Sequence, residues 1–144
     1  MSGFDSIRTE DGWDLSIDVR PAQGEPWALA VCGHAMMCNR KTYDRPRGEG
    51  VAHRLTQAGI ETVLLDLRGH GESRRQTGDN DYTYDDFIHQ DIPAVCRSLR
   101  QRYPHVPLVW IGHSLSGHAA VASMACDPSL PVDALVSLAG NVWI

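Results

Sequence analysis

One serine in this sequence stands where a hydroxyl can become a nucleophile. Gly112-His113-Ser114-Leu115-Ser116-Gly117 directly follows the apolar run Leu108–Ile111 and opens a segment rich in Ala, Ser and Gly. A serine in a sharp strand-to-helix turn is held above the sheet with its Oγ projecting outward. The next backbone N–H, on Leu115, then lies at a helix N-terminus, where developing negative charge is favoured. Small residues flank such a serine because strand and helix nearly touch there. The usual pattern is G-x-S-x-G; here Ser116 holds the last place and is small enough to fit. The bland alternative is an ordinary N-cap serine, which the strand–turn–helix context disfavours.

Two more clusters follow apolar runs in the same way. Cys32-Gly33-His34-Ala35-Met36-Met37 comes after the first, and its loop is placed to aim a backbone N–H at the same developing charge. Asp66-Leu67-Arg68-Gly69-His70-Gly71-Glu72-Ser73 comes after the second, with glycines that permit an unusual tight turn. Ligand sites in parallel sheets gather at the C-terminal strand ends, so all three clusters fall on one rim. His34, His70 and His113 sit beside turns and are read as positioning backbone. Met36 and Met37 either line an acyl pocket or pack in the core.

The elements that must carry these loops are legible as periodicity. Ser6–Glu10 and Trp13–Val19 alternate around Asp11-Gly12, a tight-turn dipeptide, and predict an antiparallel hairpin with Trp13, Leu15, Ile17 and Val19 on the core face. Four continuous apolar runs, Ala28–Cys32, Thr62–Leu65, Leu108–Ile111 and Ala134–Leu138, predict strands of a parallel sheet buried on both faces. Val51, Leu55 and Ala58 mark one helix, closed by Gly59. Ile88, Ile92, Val95 and Leu99 form the stripe of a second, with Pro93 demanding a kink or a restart. Leu115–Cys126 is a third helix, ended by Asp127-Pro128. Asp85 and Asp86 suit the positive end of the second helix; Asp91 reads either as surface charge or as a partly buried anchor. Arg74–Asp81 is the most polar stretch and is read as a loop. The fold class expected is α/β: a mostly parallel sheet with an antiparallel N-terminal hairpin and flanking helices.

The order GHAMM, then DLRGHGES, then GHSLSG resembles the N-terminal half of α/β-hydrolase-fold serine hydrolases, in the lysophospholipase, monoacylglycerol lipase and serine aminopeptidase-like group. The resemblance covers essentially the whole chain. It implies Ser114 as nucleophile, with Leu115 N–H as one oxyanion donor and Met36 N–H as the second, Ala35 being the runner-up. It also implies that Asp66 is structural or rim-forming. Members usually carry His-Gly where this chain has His34-Ala35. The reaction implied is acyl transfer to water from a small-molecule carboxylic ester or thioester.

In that family the acid and the histidine base follow the serine in chain order. After Ser114 this sequence holds only His118, Asp127 and Asp133 among histidines and acids. His118 lies on the same helix, four residues on, and is not expected to serve as base. The 144 residues therefore read as a single α/β-hydrolase domain, truncated before the lid, the acid and the histidine, and weakly active or inactive alone. The competing expectation is a non-catalytic remnant or interaction module that keeps the sheet. Trp110 and Trp143 are expected to pack within or beside that sheet.

Composition narrows the classes further. A net charge of −5 with no basic stripe argues against nucleic acid; Arg45-Pro46-Arg47 and Arg97–Arg102 read as surface charge. The four cysteines, at positions 32, 38, 96 and 126, contain no C-x-x-C pair. Cys32 and Cys126 lie in apolar segments and are expected as buried free thiols. No metal site and no cofactor are expected; a pairing of His113 with His118 is disfavoured. No run approaches the ~18 apolar residues of a membrane span, and the first residues lack a signal-peptide layout. The expected location is the cytoplasm.

Overall fold

The structure is a computed structural model that describes residues 3–141. The hairpin forms between β1 (Ser6–Arg8) and β2 (Trp13–Arg20), with Arg8 opposite Asp14. Its turn is longer than a two-residue Asp-Gly turn. Thr9 pairs with Trp13, Gly12 N–H donates to Thr9 O, and of the two turn residues only Gly12 takes a left-handed φ, +93°. Asp11 keeps ordinary backbone, and its carboxylate accepts from Thr9 and from the buried Arg68 described below. Trp13, Leu15 and Ile17 are buried and Val19 is half-buried.

Strands β3 (Ala28–Gly33), β4 (Ile60–Leu65), β6 (Leu108–His113) and β7 (Ala134–Leu138) extend the sheet in the order β1-β2-β4-β3-β6-β7. β3 is parallel to β4 and β6, β6 is parallel to β7, and β2 is antiparallel to β4. The pleat divides each central run between two faces. Val31, Val63, Leu65 and Trp110 meet α3 (Ile92–Arg102) and α4 (Leu115–Cys126), whereas Cys32, Leu64 and Ile111 meet Tyr43 and α1 (Val51–Gln57). This is why the runs are continuous rather than alternating.

Several expectations change in detail. α1 buries Ala52 and partly Leu55, while Val51 and Ala58 are exposed; Gly59 closes it with φ +78°. β7 pairs as predicted but leaves Val136 and Leu138 exposed, so it is not buried on both faces. The polar stretch after position 73 begins with a short strand, β5 (Arg74–Arg75), paired to β2 at Trp13 and Asp14. Cys32 and Cys96 are buried, but Cys126, at the end of α4, is exposed. Trp110 is buried in the sheet; Trp143 lies outside the described residues.

Pro93 is accommodated by a π-helical turn within a continuous helix rather than by a restart. α2 (Tyr84–Asp86), opened by a capping box between Thr83 and Asp86, runs into a π-helical turn at Phe87–Asp91 and then into α3. Ile92 N–H donates to Phe87 O, and Pro93 has no N–H to give, so Ile88 O is left without a helical donor. The buried Ser123 Oγ of α4 donates to it at 2.7 Å. Ile88, Ile92, Val95 and Leu99 are all buried, as their spacing predicts.

Candidate active site

The chain runs from β3 to the neighbouring β4 on one side, then crosses over to β6 on the other side of β3. Such a reversal opens a crevice between the C-terminal ends of β3 and β6, where α/β sheets bind ligands. The loop Gly33–Met37 leaves one of those ends, and Ser114 stands on the other.

Ser114 has φ +49° and ψ −111°, a region costly for a residue with a Cβ. Its N–H donates to Leu138 O at 2.8 Å, and its carbonyl accepts from Gly117 and His118 N–H, at 2.9 and 3.1 Å, so the bend is held from both sides. The sharpness requires missing side chains. A Cβ on Gly112 would lie 2.5 Å from Gly117 N, and one on Gly117 would lie 2.7 Å from Ser137 Oγ. Ser114 is half-buried at the mouth of the bend.

Ser116, the departure from G-x-S-x-G, is fully buried, and its hydroxyl accepts from Trp110 Nε1 at 3.1 Å. The space it fills exists because residue 33 is glycine: a Cβ there would overlap Ser116 Oγ. The extra hydroxymethyl on the helix is matched by an absent side chain on β3. Neither change is meaningful alone, which is why the motif gave no sign of it.

The backbone donors are set by different means. Leu115 is the first residue of α4, and among the described residues its N–H meets no acceptor. The Met36 N–H is aimed through His34. The His34 ring is fully buried; Nδ1 donates to Ala35 O at 2.8 Å, and Nε2 accepts from Leu67 N–H at 3.1 Å. Cys38 N–H donates to the same Ala35 carbonyl. In a planar trans peptide the N–H of Met36 points opposite to the C=O of Ala35. Anchoring that oxygen therefore anchors the Met36 donor, and Ala35 needs no glycine-like freedom. Burial holds the His34 imidazole below its usual pKa, so it stays neutral with one tautomer. Met36 and Met37 are 62% and 91% exposed, which removes the core-packing alternative for both.

The third cluster is a scaffold. Asp66 is buried and accepts from Arg40 N–H at 2.7 Å, Arg40 Nη1 and Glu72 N–H. Gly71 is required because a Cβ there would overlap that carboxylate. Arg68, also buried, donates through Nε to Asp91 at 2.7 Å and through both Nη atoms to Asp11 at 2.7 and 3.0 Å. Asp91 is therefore a fully buried anchor, and its burial pushes its carboxyl up to about 6 against the pull of Arg68. His70 Nδ1 meets Arg68 O, and its ring lies 4.9 Å from that of His34.

The His118 ring makes no hydrogen bond to the Ser114 side chain. Its Nδ1 hydrogen-bonds Tyr84 OH at 2.6 Å, and burial lowers its pKa. Among the described residues no group of His, Cys, Asp and Glu is placed to hold a metal ion, and no helix is long and apolar enough to cross a membrane.

A mostly parallel sheet reversing at β3, with a left-handed serine on the bend after the central strand β6, defines an α/β-hydrolase-fold domain. Solved structures share it over about two-fifths to half of their own length. A carboxyl esterase from Bacillus coagulans matches with TM-score 0.74 and 18% identity, over 92% of this chain and 42% of that one. An esterase from Exiguobacterium antarcticum matches with TM-score 0.66 and 19% identity, over 92% and 43%. A bottromycin epimerase matches with TM-score 0.68 and 22% identity, over 96% and 50%. These likenesses establish the fold. The family described as serine aminopeptidase, S33, matches residues 29–144, and the chain belongs to it.

Proposed function

We propose that this chain carries the nucleophile and oxyanion half of a serine hydrolase site for carboxylic esters or thioesters. Ser114 Oγ attacks the acyl carbonyl, and Leu115 and Met36 N–H hold the oxygen as it gains charge. A histidine base, oriented by an acid, takes the serine proton and passes it to the leaving group. Among the described residues no histidine bonds the Ser114 hydroxyl. We propose that this pair belongs to a part of the protein beyond these 144 residues. The observation that carries the reading is the strained Ser114 backbone on the bend after β6.

Removing the base from such a site costs about 10⁶ in turnover. The 144-residue chain is thus expected to stay unlabelled by a fluorophosphonate probe under conditions that label a complete serine hydrolase. Fast labelling abolished by Ser114→Ala would overturn the assignment of an absent base. The nucleophile itself is tested in a longer chain that supplies a histidine and an acid. Turnover of a short-chain nitrophenyl ester, lost in Ser114→Ala, is the expected result; no turnover in any such chain favours a non-catalytic remnant.

A further inference from the structure

The cluster Arg45-Pro46-Arg47 takes no part in the site above. Together with Lys41, its two arginines line a cavity of about 380 Å³ beside the 3₁₀ turn Arg40–Asp44, on the sheet face that carries α1. Arg20 and Arg40 also line it and are already committed. Arg20 binds Asp18 and Asp44, the two carboxylates of the cavity, and Arg40 binds Asp66 and Glu72. Lys41, Arg45 and Arg47 are exposed, and among the described residues none of them reaches a carboxylate. Three unneutralised cations thus share one recess of a chain whose net charge is −5.

The loop that presents them is tightly folded rather than loosely draped. Glu49 and Gly50 N–H both donate to Pro46 O, at 2.9 and 2.8 Å. A Cβ on Gly50 would lie 2.6 Å from Tyr43 O and 2.8 Å from Arg45 N. Arg20, Asp44 and Arg47 continue into a second cavity of about 250 Å³, walled by Pro21, Ala52 and Thr56. The first compartment carries the three free cations; the second adds Pro21, Ala52, His53 and Thr56 to the shared Arg20, Asp44 and Arg47.

We infer that these joined cavities bind a small organic phosphate. The phosphoryl group would sit on Lys41, Arg45 and Arg47, and the organic part over Pro21, Ala52 and Thr56. Guanidinium forks match phosphate oxygens in pairs, and cavities of this size suit small ligands.

The test is a ¹⁵N–¹H NMR titration of the 144-residue chain with phenyl phosphate and with inorganic phosphate, against sodium chloride at equal ionic strength. Saturable shifts around Gly48 and Gly50 are expected, with phenyl phosphate the tighter ligand. Arg45→Ala with Arg47→Ala should raise Kd about tenfold or more. Arg8→Ala with Arg97→Ala removes the same charge from surface pairs elsewhere and should leave Kd unchanged. Shifts reproduced by chloride, equal losses in the two double variants, or equal affinity for the two phosphates would each overturn the inference.

Discussion

Replacing His34 by alanine tests how the proposed second oxyanion donor, the Met36 N–H, is held. The ring is fully buried and joins two loops, bonding Ala35 O from one nitrogen and accepting Leu67 N–H at the other. Deleting it leaves the Leu67 N–H buried without an acceptor, which costs about 1–3 kcal/mol. The lost bond to Ala35 O adds about 1 kcal/mol, and the cavity about 1–2 kcal/mol more. The sum, about 3–6 kcal/mol, is a large part of a typical stability of about 5–15 kcal/mol. Urea unfolding followed by tryptophan fluorescence measures it.

The pH dependence separates this account from mere loss of volume. His34 titrates below its usual value because of burial, and a proton on Nε2 would also face the Leu67 N–H, donor against donor. Below about pH 6.5 the unfolded chain takes up a proton that the folded chain refuses, so stability falls as pH falls, by at most about 1.4 kcal/mol per unit. Asp91 acts with the opposite sign. Its raised pKa makes the folded state bind the extra proton between about pH 4 and 6, but that contribution is common to both proteins and cancels in their difference. The gap between wild type and His34→Ala should therefore narrow as pH drops from 7.5 to 5. Parallel curves across that range would refute the neutral, doubly bonded imidazole.

Three further outcomes follow from the same geometry. Gly33→Ala should destabilise by about 1–3 kcal/mol in the native background and by clearly less in Ser116→Gly, because the added methyl then occupies the vacated space; additive costs in a denaturation cycle would contradict the compensation. Arg68→Met should cost about 3–5 kcal/mol by stranding Asp91, and adding Asp91→Leu should recover most of it; a loss of under ~1 kcal/mol in urea unfolding for the single variant would contradict the buried pair. Cys38 and Cys126 should react with an aromatic disulfide reagent in the folded state, while Cys32 and Cys96, whose thiols burial pushes up to about 12, should react only on unfolding; four fast thiols would overturn that division.

What the sequence made legible and what it hid differ in range. A strand buried on both faces leaves its mark in a few adjacent letters, and the bend at Ser114 needs only its immediate neighbours to be small. The fold and the position of the serine were readable for that reason. The hidden features are pairings between residues far apart in the chain. Asp11 read as a turn residue, yet its carboxylate grips Arg68, and the turn takes a three-residue form around it. Asp91 read equally as surface or anchor, because only the fold shows that Arg68 reaches it. Ser116 read as a tolerated substitution, but its fit depends on Gly33 across the sheet and on the Trp110 indole. These pairings hold the loop after β4 and the bend after β6. A short motif marks the proposed nucleophile, and contacts invisible in the motif fix the backbone around it. That division puts the Ser114 variant and the His34 variant on separate axes: the first removes the proposed nucleophile and should leave the fold, and the second loosens the fold where the proposed Met36 donor is held.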